Sequence, residues 1–81
     1  MKIQVLGTGC MKCNKLYAEV EQAIAQAGVD AELSKVETLE EIVKFGTAFT
    51  PGLVIDGEVK SQGKLPGVAQ IVSWITTTAA K

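Results

Sequence analysis

The chemistry in this sequence gathers on two cysteines, Cys10 and Cys13, in the stretch GTGCMKC at residues 7–13. A thiolate is both a strong nucleophile and a soft metal ligand. The pair therefore has three readings: a redox couple, a metal clip, or two small buried hydrophobes. The chain contains no histidine and no other cysteine. That excludes every Cys-His or Ser-His nucleophile pair and all imidazole ligation. A closed zinc site takes four ligands, of which these thiolates supply half. Two-coordinate binding of a soft ion such as Cu(I) stays open. Burial is the weaker reading for Cys10, because a glycine-flanked turn is a poor place to bury a side chain.

The rest of the composition narrows the setting. The 81 residues read as one domain, residues 1–81, and with 47% hydrophobic residues a packed core is within reach. Eight lysines stand against nine acids for a net charge of −1, with no arginine. A nucleic-acid partner would call for a basic patch and Arg forks, so none is expected. The apolar run at residues 3–6 is shorter than a signal-peptide core of about 7–15 residues. Nothing approaches a membrane span of about 20 residues, so no membrane partner is expected. A cytoplasmic protein is the expectation, and there a cysteine pair is more often catalytic or metal-binding than a structural staple. Gly7 and Gly9 match no phosphate cradle, which needs a third glycine.

The cysteines need elements that hold them. Residues Lys2 to Leu6 read as a strand, Gly7-Thr8-Gly9 as a turn, and Cys10 to Ala27 as a helix. Leu16, Val20, Ala23, Ile24 and Ala27 recur at three- and four-residue spacing and mark its inner face. Gly28 is the expected left-handed stop. Ala31 to Val36 reads as a second strand. Thr38 and Glu41 have capping-box form ahead of a short helix with Leu39, Ile42 and Val43 inward, ended by Gly46. Leu53 to Ile55 and Glu58 to Gln62 are strands joined by Asp56-Gly57, a strong two-residue hairpin signal. Pro66 suits the first turn of a last helix, with Val68, Ile71, Val72 and Ile75 inward and a frayed tail after Thr76. The order is β-α-β-α-β-β-α, an α/β fold. Its first crossover is parallel and right-handed, and helices cover both faces of a four-stranded mixed sheet.

This context favours the redox reading. If Cys10 opens the helix, free N–H groups near Met11 to Cys13 point at its sulfur and the helix dipole adds positive potential. Lys12 adds a weaker, screened contribution. Three-residue spacing returns Cys13 to the same side, close enough to close a disulfide. Cys10 is then exposed at the helix tip and Cys13 lies one turn inside. The roles follow: Cys10 attacks a substrate disulfide and Cys13 resolves the mixed disulfide. Tyr17, one turn beyond Cys13, reads as a core or rim aromatic that could also hydrogen-bond near the pair.

A second stretch, FTPGLVIDG at residues 49–57, makes the reading specific. C-x-x-C at a strand-helix junction, followed by Thr-Pro before an apolar strand and an Asp-Gly hairpin, resembles the thioredoxin superfamily. The whole chain is similar to the minimal thioredoxin/glutaredoxin-like fold, and in particular to the small thioredoxin-like redox-active disulfide proteins. The resemblance implies a thiol-disulfide oxidoreductase with Cys10 and Cys13 catalytic and no cofactor beyond their disulfide. It implies a cis Thr50-Pro51 bond, with Pro51 beside the disulfide and keeping metal away. It also implies that the Thr50 backbone pairs with an extended substrate segment. Gly9, Met11, Lys12 and Tyr17 are the supporting residues.

The implied partners are a disulfide-containing protein or small molecule and a reductase as electron donor, with the chain acting as a monomer. Four positions depart from the family pattern. Gly9 replaces its Trp, Met11-Lys12 replaces Gly-Pro, and Gln4 stands where many members carry a buried acid for proton transfer. A soft-metal carrier is the alternative, because ferredoxin-like copper domains also place C-x-x-C after their first strand. Those run β-α-β-β-α-β and end on a strand. A redox-gated binding module, in which the disulfide switches a partner surface without turnover, is a third reading.

Overall fold

The structure is a computed structural model that describes residues 1–47 and 49–80. Its elements are β1 (Lys2–Leu6), α1 (Met11–Ala27), β2 (Glu32–Val36), α2 (Leu39–Lys44), β3 (Gly52–Ile55), β4 (Glu58–Gln62) and α3 (Val68–Ala79). This is the β-α-β-α-β-β-α order read from the sequence. It ends on a helix, unlike the ferredoxin-like copper domains. Among the described residues no helix is long and apolar enough to cross a membrane.

The four strands lie in the order β2-β1-β3-β4. β1 runs parallel to β2 and antiparallel to β3, so the first strand occupies the centre. Alternation along β1 divides its side chains between two cores. Ile3 and Val5 join Leu16, Val20 and Ala23 of α1 and Ile71 and Ile75 of α3 on one face. Leu6 joins Val36, Val54 and Ile42 of α2 on the other. β3 is buried along its whole length, as a strand covered on both sides must be. The hairpin forms as its residues dictate, with positive φ at Asp56 (48°) and Gly57 (82°). The Asp56 carboxylate also accepts from the Lys2 N–H at 2.7 Å, which ties the turn to the start of β1.

Three local expectations change. Of the three side chains expected inward on α2, Ile42 faces the sheet, joined by Phe45, whereas Leu39 and Val43 are 68% and 65% exposed. A six-residue helix presents one narrow face, and the pair spaced by three won over the pair spaced by four. Pro66 lies before the helix rather than in its first turn, because Gly67 is the N-cap of α3. That helix continues through Ala79 instead of fraying after Thr76. The Thr76 hydroxyl donates back to the Val72 carbonyl at 3.0 Å, a bond available to a mid-helix threonine.

Candidate active site

The site is built where β1 hands over to α1. Gly9 turns the chain with φ of +90°, a conformation that favours glycine. Apart from its chain neighbours, no atom lies within 4 Å of where its Cβ would be. Cys10 is the N-cap of α1, with extended backbone at φ −69° and ψ 163°. Its carbonyl accepts the first intrahelical bond, from the Asn14 N–H at 3.0 Å. Its sulfur accepts from the Cys13 N–H at 3.1 Å, the position a Ser or Asp oxygen takes in an ordinary cap. A first-turn N–H and the positive end of a 17-residue helix therefore bear on this sulfur, and no acid sits in the first turn to oppose them. The sequence placed Cys10 as the first helical residue; as the cap it stands one position earlier, with its side chain where capping groups point.

Cys10 and Cys13 are joined as a disulfide, with their Cα atoms 5.0 Å apart. The two ends of that bond are unlike. Cys10 is exposed, and Cys13 is only 4% exposed. Gly7 makes the inner position available. A Cβ at residue 7 would overlap the Cys13 sulfur and lie 2.8 Å from its Cβ. Gly7 also extends the parallel ladder, donating its N–H to the Val36 carbonyl at 2.9 Å. A glycine before the motif was visible in the sequence as part of a turn, but its contact with Cys13 was not.

The Thr50-Pro51 segment reaches the same place from the other side of β1. The peptide bond between them is cis. Leu6 pairs with Gly52, so continuing the antiparallel register sets Pro51 across from Gly7, the residue that abuts Cys13. Pro51 is fully buried, and its carbonyl accepts from the Gly63 N–H at 2.8 Å. Thr50 is half-buried, and among the described residues its backbone makes no hydrogen bond to other backbone.

Thr47 braces this loop, and nothing in the sequence singled it out. It is 3% exposed, and its hydroxyl accepts from the Phe49 N–H at 3.2 Å. The same hydroxyl also meets the Phe49 carbonyl and the Gln62 side chain at the end of β4.

The supporting residues divide. Met11 and Lys12 are exposed beside Cys10, Met11 to 89%, and Phe49 next to Thr50 is 66% exposed. Tyr17 is half-buried against the core, and the Lys35 ammonium lies 4.8 Å from its ring centroid. That is cation-π distance, and no hydrogen bond joins Tyr17 to the cysteines among the described residues. Gln4 does not reach the cysteines' side of the sheet. It lines a groove of about 290 Å³ with Val36, Glu41, Lys44 and Phe45, on the α2 face.

Comparison with known proteins agrees with this geometry. The sequence model of the family described as "Thioredoxin domain" matches residues 1–76. A protein named thioredoxin from Methanothermobacter thermautotrophicus is 38% identical over 71 residues, 88% of this chain and 92% of its own length. Another protein named thioredoxin, from Methanocaldococcus jannaschii, is 41% identical over 69 residues, 85% of this chain and 79% of its own.

Proposed function

The chain belongs to the thioredoxin family and is a thiol-disulfide oxidoreductase, and from that premise we propose that it reduces disulfides in partner proteins by attack from Cys10 and resolution by Cys13. The observation that carries the reading is the asymmetry of the pair. Cys10 is exposed and its sulfur is held by a helix N-terminal N–H, whereas Cys13 is buried. In the dithiol form the same N–H faces a Cys10 thiolate, the form that attacks.

The exchange runs in two steps. The Cys10 thiolate attacks one sulfur of the substrate disulfide, and the other sulfur leaves as a thiolate. Cys13 then attacks Cys10, the mixed disulfide breaks, and the second substrate sulfur leaves. The substrate gains two electrons, and the chain ends as the Cys10–Cys13 disulfide. A reductase restores the dithiol.

The unengaged Thr50 backbone supports docking of the substrate as an extended segment. Exposed Met11 and Phe49 at the two sides of the site favour an apolar protein segment over a charged small molecule. The cytoplasm, where such dithiols are kept reduced, is a compartment that suits this function.

Reduction of insulin with a chemical reductant as electron source tests the assignment. Cys10→Ser is expected to show no turnover above background, and Cys13→Ser to accumulate a mixed disulfide with substrate. Full turnover by Cys10→Ser overturns it.

A further inference from the structure

Resolution requires Cys13, a buried thiol, to lose its proton before it can attack. The residue at the family's usual acid position cannot serve, because Gln4 does not ionise and lies on the opposite face of the sheet. Another pair of charged groups does face this sulfur. The parallel register that sets Leu6 beside Val36 brings the end of β2 level with the Gly7 turn. Alternation along β2 sends Val36 into the α2 core and Leu33 and Lys35 to the α1 side, where Lys35 lies over Tyr17. Glu37 follows in the same alternation. A small cleft results, lined by Val5, Gly7, Cys13, Asn14, Lys35 and Glu37. Its water-accessible volume is about 10 Å³, the room needed for one water molecule.

We infer that Glu37 takes the proton of the Cys13 thiol through a single water in this cleft, and is the proton-transfer residue of the resolving step. The inference rests on the assignment of Cys13 as the resolving thiol. The step balances as follows. The Cys13 S–H proton passes to the water, and a water proton passes to the Glu37 carboxylate. The Cys13 thiolate attacks the Cys10 sulfur, the bond from Cys10 to the substrate sulfur breaks, and the substrate leaves as a thiolate.

The charged and titratable groups around Cys13 are few. β2 and the residue after it supply Lys35 and Glu37, and β1 with the turn after it supplies only Val5, Gly7 and Gly9. α1 and its cap supply Cys10, the exposed Lys12 ammonium and, one turn on, Tyr17. The α3 residues of this core, Ile71 and Ile75, are apolar. Glu37 is therefore the carboxylate of the cleft, and the Lys35 ammonium beside it favours the transient thiolate. Glu37 is exposed, so it can be replaced without opening the core and can release its proton to solvent between turnovers.

Single-turnover reaction of the reduced protein with a chromogenic protein disulfide separates formation of the mixed disulfide from its release. In Glu37→Gln, formation is expected at the wild-type rate and release about tenfold slower at pH 7. That is less than the usual hundredfold for a positioned base, because bulk water competes at an exposed site. The deficit should shrink toward parity as pH rises beyond about 9, where hydroxide removes the proton unaided. Glu32→Gln deletes the same charge elsewhere on β2 and should release at the wild-type rate. Wild-type release by Glu37→Gln at pH 7, or a deficit that stays constant with pH, overturns the inference. A wild-type protein that forms no mixed disulfide at Cys10 would instead overturn the assignment on which it rests.

Discussion

The two faces of the sheet are built to different standards. On the α1/α3 face, nine buried residues from two strands and two helices form one core, and Cys13 and its cleft sit at its edge. On the α2 face, the cluster is Leu6, Val36, Ile42 and Val54, with Phe45 and Val59 half-buried against it. The difference follows from helix length. α1 has 17 residues and sets four buried side chains along the sheet, whereas α2 has six and buries Ile42 alone. A redox centre that must hold one sulfur buried and one exposed is attached to the thicker face. The loop that follows the thin helix relies on polar bonds instead, through the buried Thr47 hydroxyl and the Pro51 carbonyl.

The contrast can be broken by truncating one side chain on each face. Leu16 is fully buried between α1 and the sheet. Leu16→Ala should lower unfolding stability by about 4 kcal/mol, because α1 is long and packed against α3, which keeps the cavity from closing. For a chain of this size that loss would move the thermal midpoint by tens of degrees, at roughly 4–8 °C per kcal/mol. Ile42 is 2% exposed but has a short, thinly supported helix behind it. Ile42→Ala should cost about 2–3 kcal/mol, the low end of the range, because α2 can settle toward the sheet. Urea unfolding with unchanged m-values measures both. Equal losses would remove the distinction between the faces. At the small end, Leu39→Gln should change stability by less than about 0.5 kcal/mol, since its side chain is already in water. A loss above about 1 kcal/mol would mean that the outer face of α2 is covered in solution.

The legible parts of the fold and of the site were those encoded by neighbours in the chain. The helix start near Cys10, the stop at Gly28 and the Asp56-Gly57 turn each depend on a few adjacent residues. So does the spacing that sets Cys13 one turn behind Cys10. Local sterics and hydrogen bonding decide such features before any packing occurs. The orientation of α2 was legible only at Ile42, because Leu39 and Val43 beside it and Phe45 beyond it are all plausible apolar partners over one and a half turns. Only the sheet beneath could choose between them. Thr47 looked like any loop threonine, since its partner Gln62 is 15 residues away. Gln4 was legible as a missing acid, but its place on the far face was not.

By itself the sequence determined the identity of the chemistry. Two thiols at helical spacing behind a glycine turn, in a chain without histidine, admit few reactions. It also determined which of the two is the exposed one, because Cys10 stands at the helix tip and Cys13 one turn inside. The tertiary structure alone decided what surrounds the buried sulfur. Glu37 is 24 positions from Cys13 along the chain, and Pro51 is 38. The parallel pairing of β1 with β2 carries the first to the cleft, and the antiparallel pairing of β1 with β3 sets the second across from Gly7. Strand register is settled by which faces can be buried together, a property of the assembled sheet rather than of any one segment.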